Sequence, residues 1–131
     1  MSEEIKKPQP LRKISIEVES NSYDIEYPKT GQFLQLESMK ISMSGGNYNA
    51  IALGDTVSSQ MSRYLTDMIA FFSICCPQMK KDLKVDTFSD LDMLTSKKLL
   101  KLYIDKILPW LQAWEVLLNS DDSEITEEKT N

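Results

Sequence analysis

Near the start of the chain, apolar side chains fall on every second position. Ile14, Ile16 and Val18 alternate with Lys13, Ser15 and Glu17; further on, Tyr23, Ile25 and Tyr27 alternate with Asp24 and Glu26. A period of two puts alternate side chains on opposite faces of a strand. The pattern predicts a β-hairpin over residues 11–27 with one apolar face, a turn within 19–22 and Pro28 as its end. A lone hairpin is marginal in water, so this one must lie on helices or pair with another chain.

From Thr30 the period changes. Thr30 is read as the cap of a helix through Met43 that carries Phe33, Leu34, Leu36, Met39 and Met43, and Gly45-Gly46 closes it. Residues 47–55 read as a loop or broken helical turn with Tyr48, Ile51 and Leu53 folded inward. The chain is organised around the next stretch, 57–76. There Val57, Met61, Tyr64, Leu65, Met68, Phe71, Phe72 and Cys75 recur at three- and four-residue steps along one helical face. Thr56 can cap this helix, and Pro77 stops it because proline cannot extend the hydrogen-bond ladder. A helical turn is expected over 78–83, after which Val85, Phe88 and Leu91 cross back over the core. A last helix over 95–119 presents Leu99, Leu100, Tyr103, Ile107, Trp110, Leu111, Trp114 and Leu118. Pro109 lies inside it and predicts a kink or break that wraps Trp110 and Trp114 around the central helix.

These elements make an α+β protein: an N-terminal hairpin followed by a mainly helical body of three to five helices. The expected layout is a flexible N-terminus (1–10), one α+β domain (11–119, with the helical body over 30–119) and a disordered acidic tail (120–131). With 131 residues, 41% hydrophobic and 27% charged, the composition is that of one ordinary globular domain. Residues 1–10 lack the apolar run of a signal peptide. The stretch 68–76 is far short of the roughly 20 apolar residues needed to span a bilayer.

Charge and residue types then narrow the chemistry. A net charge of −5 argues against a nucleic-acid surface, and the Lys80, Lys81, Lys84 and Lys97, Lys98, Lys101 groups read as solvated helix faces. Histidine is absent from the sequence, which removes His-activated nucleophiles and most transition-metal sites. Cys75 and Cys76 are adjacent, so they cannot form a disulfide framework; they read as buried small hydrophobes in a reducing compartment. Asp86, Asp90 and Asp92 lack the glycine turn and distal Glu of a calcium loop and read as turn and cap residues. The Ser44-Gly45-Gly46-Asn47 stretch follows a helix instead of preceding one, so it reads as a helix stop, not a phosphate loop. No catalytic, cofactor-binding or metal-ligating residue is assigned, and the chain is expected not to be an enzyme. Met39, Met43, Met61, Met68 and Met79 fit an adaptable binding surface or, as is more common at helical spacing, ordinary core packing.

Two features suit binding. Trp110 and Trp114, with Tyr103 and Ile107 on the same helix, form the candidate partner-binding face, since tryptophans of this kind serve both cores and interface hot spots. The hairpin edges are available for β-pairing with another subunit.

Taken in order, the two strands, Tyr27-Pro28-Lys29-Thr30-Gly31-Gln32-Phe33, Ser44-Gly45-Gly46-Asn47-Tyr48, the apolar helix ending at Pro77 and Leu108-Pro109-Trp110 resemble small tail-region proteins of tailed bacteriophages. The overall layout is similar to that of phage tail assembly chaperones. The likeness covers roughly residues 14–119 and rests on structural signatures: a turn into a helix, a helix stop and a kinked terminal helix. It implies a non-enzymatic protein of the host cytoplasm that binds the tape-measure protein or other tail components during morphogenesis, with a homo-oligomer as a further option and no nucleic acid or membrane partner. A frameshifted longer form would extend from the acidic tail. The alternative is a small structural protein of the phage neck or tail retained in the virion; a weaker one is an acidic regulator of a host factor.

Overall fold

The computed structural model describes residues 9–120. The flexible N-terminus and acidic tail expected over 1–10 and 120–131 therefore lie outside the described residues, apart from positions 9, 10 and 120. Within that span the protein is an antiparallel hairpin followed by a helical body, the α+β arrangement read from the sequence.

Strands β1 (Lys13–Val18) and β2 (Asn21–Glu26) pair in register, with Ile14 opposite Ile25 and Ile16 opposite Tyr23. The turn is two residues long, and Glu19 and Ser20 both take left-handed backbone conformations (φ 49° and 73°). Such a turn matches the right-handed twist of the strands it joins. It is tighter than the turn expected over 19–22, because Asn21 and Ser22 already belong to β2. Ile16, Val18, Tyr23 and Ile25 point inward and are buried, while the odd-numbered residues of β1 face solvent.

Helix α1 is Thr30–Met43. Thr30 is its first residue, not its cap. The extended Lys29 precedes it, and the Lys29 backbone N–H donates to Gln32 Oε1 at 2.9 Å. Gly45 (φ 63°) and Gly46 (φ 85°) close the helix: the Gly46 N–H returns to the Ile41 carbonyl at 2.8 Å. Glycine takes such left-handed angles at the least steric cost. A short helix, α2 (Tyr48–Leu53), replaces the expected loop. Leu53 does not fold inward. It is 86% exposed at the helix end.

Helix α3 (Val57–Cys75) is the central element and touches α1, α2 and α5. Thr56 caps it as the sequence predicts, its Oγ1 accepting from Ser59 N–H at 3.0 Å. Burial grows along its length. Val57 is 81% exposed, Met61, Tyr64 and Leu65 are half-buried, and Met68, Ala70, Phe71 and Phe72 are fully enclosed. The N-terminal turn overhangs the core, so the apolar periodicity there does not translate into contact. Helix α4 (Met79–Leu83) and a 3₁₀ turn at Phe88–Asp90 return the chain across the core and bury Met79 and Phe88. The Phe72 ring stacks on Phe88 at 5.9 Å and meets Tyr103 at 6.5 Å.

The C-terminal helix is one rod in three parts: α5 (Met93–Leu102), a π turn (Tyr103–Ile107) and α6 (Leu108–Leu118). Counted as one body, it makes five helices among the described residues. It starts two residues earlier than expected because Asp92 caps it, accepting from Thr95 N–H at 2.7 Å. Pro109 has no N–H, and its ring would strike the carbonyl four residues back in a regular α-helix. The widened turn immediately before it lets the helix continue past the proline.

Candidate interaction surface

The residues expected to form a partner-binding face are in the core of the monomer. Ile107 is fully enclosed, and Tyr103, Trp110 and Trp114 are almost so. Trp110 and Trp114 also do not wrap around α3; they sit on the hairpin. Both indole Nε1–H groups donate to one acceptor, the Leu11 carbonyl, at 2.6 Å and 2.9 Å. The Tyr27 ring meets Trp110 edge-on at 5.7 Å and lies tilted against Trp114 at 4.9 Å, and the Arg12 guanidinium lies 5.5 Å from the Trp114 ring centre. The reason is chemical. A buried indole N–H needs an acceptor. The carbonyls of α3 are used within its own helix, whereas Leu11 precedes the paired part of β1 and its carbonyl is open. Tyr103 packs between Phe71 and Phe72, and its hydroxyl titrates well above its ordinary value because it is buried.

The other candidates also resolve into structural roles. Burial pushes the Cys75 thiol up to about 12, with Cys76 adding to the effect, and the Cys76 thiol up to about 11. Neither is a ready nucleophile, since the thiolate is the reactive form. Asp92 holds the α5 N-terminus, and its pKa is lowered by the Thr95 backbone N–H. With Asp90, Asp82, Glu19 and Lys84 it lines an open, mainly acidic cleft of about 390 Å³. Asp86 lies outside that cleft. Among the described residues, no three carboxylates or thiols converge in a way that could hold a metal ion. Asp82 accepts a hydrogen bond from the Tyr23 hydroxyl, tying the hairpin to α4; burial, then this bond, raises the Tyr23 pKa to about 12.

Exposed apolar side chains occur at Leu11, Leu53, Val57, Met93, Leu94, Val116 and Leu118, and as a continuous stripe on helix α1. One turn of that helix advances 3.6 residues, so Leu34, Ser38 and Ile41 form a single stripe. Leu36 and Met39 occupy the opposite side, toward the core, while Met43, on that side at the helix end, is 37% exposed. Leu34 is 62% exposed and Ile41 55%, and Phe33 is exposed on the flank. Thr30, Gly31, Gln35 and Ser42 complete the outward side, and Glu37, partly exposed and paired with Lys40, stands at its edge between Phe33 and Ile41. A helix apolar on both sides is unusual at a protein surface, where the outer face is normally charged. Sequence reasoning named Phe33 and Leu34 but missed Ile41, and it did not divide them by face. The signal was present: Leu34 and Ile41 are seven residues apart, while Leu36 and Met43 form a second such pair nearly opposite.

Beneath this stripe, a polar cluster fixes α1 and α2 to α3. The Tyr48 hydroxyl donates to Asp67 Oδ1 at 2.6 Å, and Lys40 Nζ lies 3.8 Å from the same oxygen and 3.0 Å from Glu37 Oε2. Lys40 also stands 5.6 Å from the centre of the Tyr48 ring. Burial holds the Asp67 carboxyl above its ordinary pKa despite the opposing pull of Tyr48, Lys40 and Arg63. Tyr48 is shifted upward by burial and by its bond to Asp67. The cluster ties the helix that carries the α1 stripe to α3.

Comparison with protein-family models, with curated proteins and with solved structures gives no match to this chain. None of its described helices is long and apolar enough to cross a membrane.

Proposed function

We propose that this protein is a non-enzymatic assembly chaperone of the phage tail, acting in the host cytoplasm, that holds the tape-measure protein or another helical tail component until it is built in. The observation that supports this reading is the apolar stripe of α1, with Leu34 and Ile41 more than half exposed on a helix that buries Leu36 on its other side. An amphipathic helix of a partner could lie along that stripe, its apolar positions meeting Leu34, Ile41 and Phe33. Such binding needs neither nucleotide nor metal. It works by covering apolar surface that would otherwise aggregate. The buried Trp110, Trp114, Tyr103 and Ile107 then act indirectly, by keeping the body rigid.

The test is capture of the tagged protein from producing cells with mass spectrometry of the eluate, repeated with a Leu34→Glu/Ile41→Lys double variant. Both substitutions are good helix formers and leave the net charge unchanged. A long, predominantly helical tail protein retained by the wild type and lost by the folded variant is the expected result. Neck, portal or finished tail proteins in the eluate would instead favour a structural part of the virion. Equal capture by wild type and variant would remove α1 from the reading, and an eluate of host proteins alone would overturn the tail assignment.

A further inference from the structure

The hairpin has two long edges, and they differ in what they can accept. Which backbone groups face outward follows from the pairing. The two-residue turn makes Val18 and Asn21 the pair beside it, and the Tyr27 N–H donates to the Arg12 carbonyl at 2.8 Å. In an antiparallel ladder the bonded pairs recur at every second residue. Even-numbered residues of β1 therefore turn their N–H and C=O toward β2, and Lys13, Ser15 and Glu17 turn theirs away. Leu11 shares that parity, and its carbonyl accordingly meets the two indoles of α6 instead of β2. No backbone hydrogen bond from another described element reaches Lys13, Ser15 or Glu17 on the outer edge of β1.

We propose that this edge of β1 binds a second copy of the same chain. The second β1 adds antiparallel across a two-fold axis at Ser15, giving a four-stranded sheet in the order β2-β1-β1-β2. In this register Ser15 lies opposite Ser15, and Lys13 of each copy lies opposite Glu17 of the other, so unlike charges meet on the solvent face. The residues exchanging hydrogen bonds are those whose N–H and C=O already point outward. Ile14 falls opposite Ile16, which keeps apolar positions on the core side of the enlarged sheet. Moving the axis to Lys13 or to Glu17 would oppose like charges. On the β2 edge, by contrast, an axis at Asp24, the centre of its outward residues, would set Asp24 against Asp24. Pairing stops at Leu11, where the carbonyl is already occupied by Trp110 and Trp114. The proposal is independent of the α1 reading, since the stripe and the strand edge share no residue.

Sedimentation velocity on the full chain, from micromolar to millimolar concentration, reads the association directly. A reversible dimer is expected. Lys13→Glu turns both symmetry-related charge contacts from attractive to repulsive and should raise the dissociation constant about tenfold. The Lys13→Glu/Glu17→Lys double variant restores opposite charges and should return it to the wild-type value. Ser15→Pro should abolish the dimer while leaving the hairpin, because the Ser15 N–H takes no part in the β1–β2 ladder and edge strands tolerate proline. Circular dichroism and thermal unfolding confirm the fold of each variant, and if Ser15→Pro unfolds, the charge pair decides alone. A monomer throughout the concentration range overturns the proposal. So does a dimer that is indifferent to Lys13→Glu or not restored by the charge swap.

Discussion

The seam between α6 and the hairpin and the outer layer formed by α1 and α2 both carry several apolar side chains, yet they treat them in opposite ways. At the seam, Trp110, Trp114 and Tyr27 pack ring against ring, and the polar tips of both tryptophans find one carbonyl. In the outer layer, α2 has no fully buried residue, α1 has only Leu36, and Leu34, Ile41 and Leu53 face out. The layer is held down in part by a polar cluster around Asp67. The seam is thus the more tightly packed region, and the outer layer buries far less of what it carries. A protein that must stay folded while offering a surface to a partner benefits from keeping the two apart: changes in the outer layer need not reach the core.

Substitutions can break or sharpen that contrast. The largest effect should come from the seam. Trp114→Ala removes a buried ring and should cost about 3–5 kcal/mol, read as a lower midpoint in denaturant. Trp110→Ala should behave similarly, and the double variant should fall short of the sum because both indoles share the Leu11 carbonyl.

Next comes the polar cluster of the outer layer. Asp67→Ala leaves the half-buried Tyr48 hydroxyl without its acceptor and Lys40 with Glu37 alone, and should cost about 1–3 kcal/mol. Tyr48→Phe should lie at the lower end of that range. Asp67→Asn separates the hydrogen bond from the charge. The folded pKa of Asp67 lies above its ordinary value, so the folded state binds this proton more tightly than the unfolded chain. The stability contributed by this site is thus full below the ordinary carboxylate pKa and is lost as pH rises through the raised folded value. Asp67→Asn should flatten that decline and should be neutral or slightly stabilising at neutral pH, as followed by thermal unfolding across the acid range. A steeper decline in the variant would show that Asp67 is stabilised as the anion.

The smallest effect on folding should come from the stripe itself. Leu34→Glu with Ile41→Lys should change stability by no more than about 0.5 kcal/mol per site while abolishing capture of the helical tail component. Loss of folding in that variant would show that the α1 surface belongs to the core after all, and the contrast between the two regions would fail.

Much of this architecture could be read from local pattern. The alternation through Ile14, Ile16 and Val18 and through Tyr23 and Ile25 located both strands and their buried face, because a period of two admits no other regular structure. Thr56 and Pro77 marked the limits of α3, and Gly45-Gly46 marked the end of α1, since caps and stops depend on neighbours only a few residues away. The start of α5 was read too late because Asp92 and Thr95 are both good cap residues, and only the placement of the helix chooses between them.

The candidate surface was less legible, and for a different reason. Periodicity states which side chains share a face; it does not state what lies against that face. Trp110, Trp114, Tyr103 and Ile107 were rightly grouped on one helix side, but whether that side met solvent, α3 or the hairpin depended on contacts about a hundred residues apart in sequence, such as Trp110 with Leu11. Val57 and Leu53 fit an apolar pattern and still stand in solvent, because α2 and the first turn of α3 extend past the core. By itself the sequence determined the kinds of element, most of their limits and the absence of histidine chemistry, all of which follow from local sterics and residue type. Only the tertiary structure decided which apolar faces were covered, because burial requires a second surface and the chain supplies it from distant residues. It hid the tryptophans and left Leu34 and Ile41 outside.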